Sequence, residues 1–513
     1  MKNLLFILLL ALVLGACTSK KEEGESSGAV GSAEKFVRKN AHSEEAKADL
    51  EAMEKAFEIM REAGCTEPIS WYYQGAIHNV PLPHDKPIAP NPLCESFQFN
   101  ASQLKTAWAN CTHGGTNDFT RKAINYNFLI WHRLYIWHFE QIVRELSGKE
   151  DFALPYWAYT NTENAELNRT IPMPFRNPSS SLFEKARFKD VNDGKSITNK
   201  RILDELNLTK LMENTDFYEF ASTINHAPHG TMHNYVGFGY KNKLTVKYFN
   251  SIYNKDMETG LMGEVSSAGF DPIFWLHHAN IDRIWQQWTN SDNGKEVCLD
   301  TLKKYAWSKY TFFDGKGKQV DYTIEDVYKI IYNGMDYTYD DTEVKGRKSM
   351  TECKPMLKSQ QGGAETLASS TKSFVVGNTK MDVVIPNTIF GKKTLLKSQG
   401  GQQKVVLSFE IEFPDNEIPR GTYQLYLNAA NGKDRTPSDP SFCGFINFFE
   451  TRHRQAHSEH HEGHSEPFTE LIEMEISKEI NEMNALANKN FTISIEGFDD
   501  EKLIIKNVKI IKL

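Results

Sequence analysis

Asp271-Pro272-Ile273-Phe274-Trp275-Leu276-His277-His278-Ala279-Asn280-Ile281-Asp282-Arg283-Ile284-Trp285 decides how this chain is read. A histidine pair sits there inside a run of apolar and aromatic residues. A buried imidazole without a partner is costly, and a metal ion is one such partner. Upstream, His229-Gly230-Thr231-Met232-His233 sets two more imidazoles at i and i+4. On a helix that spacing puts both on one face. Farther upstream lie His78, His113 and His132, the last within Phe128-Leu129-Ile130-Trp131-His132-Arg133. Two groups of three histidines suggest two metal ions with three imidazoles each. Such a donor set suits copper in both oxidation states. Three histidines also occur at zinc, so ligand count alone leaves the metal open.

These segments resemble the tyrosinase, catechol oxidase and haemocyanin family of binuclear copper proteins. The family's second copper motif, D-P-x-F-x-x-H-H-x-x-x-D, is matched at every fixed position from Asp271 to Asp282, and His229 and His233 supply its H-x-x-x-H. The first copper motif is similar to Ile77-His78, Cys111-Thr112-His113-Gly114 and Trp131-His132-Arg133, with Leu154-Pro155-Tyr156-Trp157 as a further landmark. The resemblance implies copper. It implies His78, His113 and His132 for the first ion and His229, His233 and His278 for the second. Neighbours on a helix diverge by about 100°, so one of His277 and His278 faces the metal; in the family it is the second, here His278. His113 lies farther from His132 than the usual spacing, with an insertion across 115–125. Its Cys-x-His-Gly context resembles relatives in which the cysteine forms a thioether with the histidine, here Cys111 with His113. His138, six residues after His132, points elsewhere and reads as structural. His226 reads as a rim residue.

The resemblance also implies the reaction: two cuprous ions reduce O2, and a catechol gives up two electrons and leaves as an o-quinone. Relatives that also hydroxylate monophenols hold a water with an Asn directly after the first ligand of the second copper and a Glu about four residues before it. Gly230 and Asn225 stand there instead. The expectation is therefore an o-diphenol oxidase with weak or absent monophenol hydroxylation. A full tyrosinase, an o-aminophenol oxidase and a non-enzymatic O2 or copper binder are the alternatives. Val265, thirteen before His278, takes the place of the family's bulky gate residue, and Asn234 is placed to touch the substrate.

The net charge of −8 gives no sign of nucleic-acid binding. Residues 1–16 read as a lipoprotein signal: Lys2, an apolar run from Leu4 to Leu14 too short to span a membrane, then Leu14-Gly15-Ala16-Cys17. Cys17 would carry lipid, and Thr18 after it favours an exported protein on the outer membrane of a Gram-negative bacterium. A flexible tether follows over 17–45. Export permits disulfides. Cys65 with Cys94 and Cys298 with Cys353 are candidate pairs that spacing cannot fix, and Cys443 is the expected free thiol.

Apolar residues at helical spacing predict helices over Ser43–Arg61, Asn127–Leu146, Phe217–Val236 and Phe274–Trp288. This fits the family's mainly α catalytic domain, a four-helix bundle around the dicopper centre, over 46–300. Residues 301–345 resemble the small linker domain of plant polyphenol oxidases, and 346–371 read as a low-complexity linker. From 372 to 513 the chain reads as a β-sandwich that shields the copper mouth, with strands at Val405–Phe413, Gly421–Asn428, Phe491–Ile495 and Lys502–Ile511. His453–His464 holds five histidines among Glu and Ser. It reads either as a copper-collecting loop or as a solvated surface loop.

Overall fold

The computed structural model describes residues 36–78, 121–239, 247–252, 255–295, 297–344, 365–376, 380–388, 404–413, 417–429, 435–452, 468–483, 485, 488–497 and 503–513. The signal, Cys17, Cys94, Cys111, His113, Cys353 and the histidine-rich stretch lie outside the described residues.

Among the described residues of the first half, the longer helices are α1 (Lys47–Glu62), α2 (Trp71–His78), α3 (Arg121–Ser147), α4 (Phe217–Ile224), α5 (Thr231–Phe238) and α6 (Ile273–Asn290). Helix α1 buries Leu50, Met53, Phe57 and Met60, the 3–4 spacing that makes one apolar face. That face packs on α3, which also meets α4 and α6. The helix expected over Phe217–Val236 is interrupted. Ala227 is extended (φ −146, ψ 130), because Pro228 has no N–H to give and disfavours a helical residue before it. Asp216 caps α4, its carboxylate accepting from Tyr218 N at 3.0 Å.

The expected tether ends earlier than residue 45. Strand β1 (Phe36–Arg38) pairs in parallel with β4 (Tyr337–Tyr339), Phe36 opposite Tyr337. The expected linker domain is no separate body either. Its hairpin, β2 (Lys309–Phe313) with β3 (Gln319–Thr323), buries Tyr310 and Phe312 in the same core as the helices. Cys65 and Cys298 are each disulfide-bonded, and Cys443 is a buried free thiol.

The C-terminal part is two facing antiparallel sheets. One has the order β11 (Thr469–Glu475), β8 (Val405–Glu412), β13 (Leu503–Lys512), β5 (Glu365–Ser370), with β6 (Phe374–Val376) also on β13. The other runs β10 (Phe442–Asn447), β9 (Thr422–Leu427), β12 (Asn490–Glu496), β7 (Lys380–Pro386). Inward residues of both, among them Leu407, Phe409, Leu425, Ile493 and Ile505, make a second core. Strand β5 falls inside the stretch expected as linker. Its Leu367 and Ala368 are buried, but Ser and Thr around them give a linker-like composition.

Candidate metal centre

The described helices carry six histidines into one buried space: His78 at the end of α2, His132 in α3, His229 just before α5, His233 within it, and His277 and His278 in α6. Each is at most 3% exposed. The His132 and His278 rings stack at 4.1 Å, 4° apart. His78 lies 5.5 Å from His132, and His229 lies 4.5 Å from His233. The first-ion and second-ion histidines that are described thus share a single chamber.

Hydrogen bonds fix the tautomers. His132 Nδ1 lies 2.8 Å from Phe128 O and His229 Nδ1 lies 3.2 Å from Asn225 O, each one turn back on its own segment. His78 Nδ1 lies 2.9 Å from Val265 O, and His233 Nδ1 lies 2.9 Å from Met262 O. A carbonyl oxygen only accepts, so each Nδ1 carries the proton and each Nε2 holds a lone pair. The Nε2 atoms of His132, His229 and His233 are buried without a hydrogen-bond partner. Burial, then repulsion from neighbouring imidazoles, pushes the pKa of His132, His229, His233 and His278 well below the usual histidine value. Burial lowers His78 to about 4. These rings stay neutral near pH 7, the state that binds metal.

His277 also belongs to the histidine cluster. Ring nitrogens of His229, His233, His277 and His278 all lie within 4.8 Å of one another. Yet the Tyr159 hydroxyl takes His277 Nδ1 at 2.8 Å, while neither nitrogen of His278 has a partner. His278 has the greater unmet need, which favours it as the metal-facing member of the pair.

Buried ion pairs hold the histidine helices. Arg133 Nε donates to Asp282 Oδ1 at 2.5 Å, joining α3 to α6 beside His132 and His278. Asp282 Oδ2 also accepts from Tyr337 and Tyr339, at 2.6 and 2.5 Å, and meets Arg38 Nη1 at 3.3 Å. Burial alone would push the Asp282 carboxyl up; Arg133 and Arg38 outweigh it and hold it below the usual range. Asp271 pairs with buried Arg187 at 2.5 Å and accepts from Ile273 N at 3.1 Å, anchoring the start of α6. These contacts account for the fixed aspartates of the motif.

The remaining wall comes from the sandwich. Phe449 stacks on His233 at 4.3 Å and 16°, and meets His229 edge-on at 5.9 Å. The Asn234 amide donates to Arg420 O and to Asn447 Oδ1, and its oxygen accepts from Arg452 Nη2 at 2.9 Å. Gly230 faces Asn447. His226 Nδ1 lies 3.0 Å from Asn447 O, a rim position as expected. Asn225 keeps a buried side-chain oxygen without a partner, and Val265 is buried with its carbonyl on His78. His138 is structural, with Nε2 on the Tyr322 hydroxyl at 3.0 Å. Nothing in the sequence pointed to Asn447, Phe449 or Arg452, which meet the helices across more than two hundred residues.

Residues 68–291 match the family described as the common central domain of tyrosinase. The chain thus carries a tyrosinase central domain and is similar to tyrosinases and polyphenol oxidases. It is 26% identical over 412 residues to tyrosinase HcTyr1 of Hahella sp. (strain CCB-MM4), covering 77% of this chain and 81% of that protein. It is 25% identical over 464 residues to the chloroplastic polyphenol oxidase C of Solanum lycopersicum, covering 84% of this chain and 70% of the relative. In fold it is similar to latent apple tyrosinase (TM-score 0.60, 18% identity, 93% of this chain and 97% of that one). It is also similar to latent aurone synthase (TM-score 0.61, 18% identity, 94% and 90%). These two likenesses concern fold: a helical core followed by a β domain. The family's cofactor is a pair of copper ions, and that is the cofactor here. The buried lone-pair nitrogens fit it, since copper takes neutral imidazole. The chain is accordingly an oxidoreductase of the copper-dependent, phenol-oxidising kind, a family that uses O2.

Proposed function

We propose that this polyphenol oxidase converts o-diphenols to o-quinones and hydroxylates monophenols weakly or not at all. The single observation that carries this is the buried imidazole chamber without a carboxylate base at the predicted base positions: Asn225 and Gly230 stand there. His78, His113 and His132 would hold one copper ion and His229, His233 and His278 the other. Bound copper supplies the reversible two-electron exchange with O2. The chain supplies the rest. His233 offers its ring face, where Phe449 now stacks, to the substrate ring. Asn234 offers an amide to a ring substituent, and Val265 leaves the approach to the first copper open. Two catechols give four electrons and four protons, and one O2 leaves as two waters. A monophenol must first lose its proton to a base in reach, and a glycine cannot help to hold one.

In the uncut chain the sandwich keeps the site closed, because Phe449 and the bonds to Asn234 occupy the face a substrate needs. Export and lipid attachment at Cys17 complete the reading. Cys17→Ser should then move the protein from the membrane to the soluble fraction; unchanged membrane association would remove the anchor. The activity is tested by O2 uptake of copper-loaded protein, nicked between the two parts, with a catechol and its matching monophenol side by side. Uptake with the catechol alone is expected. Equal uptake with both makes the protein a tyrosinase and sends the search for the base elsewhere.

A further inference from the structure

Gly230 sits between two ligand histidines in sequence and has an ordinary right-handed helical backbone (φ −59, ψ −34). No turn or positive φ requires glycine there. What requires it is space. A Cβ on Gly230 would lie 2.8 Å from Asn447 Oδ1 and 3.0 Å from its Cγ, closer than carbon atoms pack. Asn447 is poorly free to swing aside. It is 4% exposed. Its Nδ2 donates to Thr422 Oγ1 at 2.9 Å, across the β9–β10 pair where the two residues are in register. Its Oδ1 accepts from Phe449 N at 2.9 Å and from Asn234 Nδ2 at 3.3 Å. The same carboxamide therefore sets the turn that aims Phe449 at His233, bonds to the histidine helix, and fills the space above Gly230.

We propose that Gly230 is the socket of the sandwich: the missing side chain at this position sets how tightly the C-terminal domain docks over the histidine face, with Asn447 as the plug. This rests on the reading that the docked domain closes the site. Substitution should act with opposite signs on the two parts. Alanine is the better helix former on such a backbone, so Gly230→Ala favours the start of α5 while pushing the sandwich off. General damage to the fold would not separate the two.

The test uses the copper-loaded, full-length chain. Backbone hydrogen exchange over 442–452 is followed in wild type, Gly230→Ala, Asn447→Ala and the double variant. Gly230→Ala is expected to speed exchange there by roughly tenfold or more, with α6 unchanged. Asn447→Ala loses its own bonds and sets a new baseline. In that background Gly230→Ala should add nothing, since the clash is gone. Wild-type exchange in Gly230→Ala overturns the socket. So does an equal acceleration in both backgrounds, which would trace the effect to the nearby Asn225 carbonyl instead, 3.2 Å from the added carbon. O2 uptake with a catechol on the same uncut samples separates the two ideas. Faster exchange without faster uptake keeps the socket and removes the closed-site reading. Unchanged exchange, with uptake that still rises on cutting, removes the socket alone.

Discussion

The two walls of the histidine chamber are held by different forces. The wall of α3 and α6 is locked by buried charge: Arg133, Asp282, Arg38 and Glu140, with Tyr337 and Tyr339 closing the network. Where it meets the histidine helix, the wall from the sandwich is held by neutral amides, one stacked ring and an arginine at the rim; the ion pairs Lys210–Glu479, Lys478–Glu213 and Arg420–Glu258 also join the two parts, each through a cation that stays in contact with water. Removing one partner of a buried ion pair leaves an uncompensated charge, so such a wall does not open reversibly. Amide bonds can be exchanged for water at small net cost. The α3–α6 side is therefore permanent and the sandwich side releasable. The ligand-bearing wall must hold its geometry through every turnover, and the other need only leave.

The largest effect should come from breaking the permanent wall. Asp282→Ala strips Arg133 and Arg38 of a shared carboxylate and should cost about 3–5 kcal/mol. A steep fall in thermal stability with loss of bound copper is expected; a stable variant with full copper would show that the charges are dispensable. Next comes the releasable wall. Phe449→Ala in the uncut chain should raise catechol turnover by roughly tenfold, since about 1.4 kcal/mol of docking suffices for that factor and truncating a buried Phe removes more. Unchanged turnover, at unchanged copper content, would mean that the ring does not close the site.

The pH response should also separate the walls. Burial, with Glu475, Asp216 and Glu473 near it and Lys404 opposing, pushes the Glu219 carboxyl up to about 7 from 4.5. Folding then binds its proton more tightly. The stability it contributes is complete below about 4.5 and is lost as pH rises through about 7. Glu219 lies on α4 and faces the sandwich, so Glu219→Gln should flatten the fall in melting temperature between about pH 4.5 and 7. An identical pH slope in the variant would exclude this carboxyl as its source. The smallest effect belongs to Val265→Phe, which should raise the KM for bulky catechols severalfold and leave small ones alone. An even response across a size series would take Val265 out of the gate.

Most of the permanent wall was legible in the sequence. The apolar spacing of α1, α3 and α6 is one-faced and local, so periodicity finds it, and the histidines sit on those faces. The motif Asp271 to Asp282 carries both its ligand and the aspartates that pin its helix. The helix through His229 reads as continuous because apolar spacing persists across Pro228, although the proline breaks the backbone at Ala227. Strands β8, β9, β12 and β13 alternate or are rich in β-formers and read as strands in the sequence. Strand β5, with serines around two buried apolar residues, reads as linker. The releasable wall was illegible for a different reason. Asn447 and Phe449 lie in an ordinary strand end, and what matters about them is the partner more than two hundred residues away. In the sequence Gly230 shows only as a missing base, because a sequence does not say what fills an absent side chain.

The most direct test of a closing sandwich is catechol-dependent O2 uptake by one copper-loaded preparation, before and after a limited protease cut between residues 345 and 364. Two copper ions per chain are expected in both samples, with a clear rise in uptake after the cut. Equal uptake at equal copper would contradict it, because the sandwich would then lie on the site without closing it.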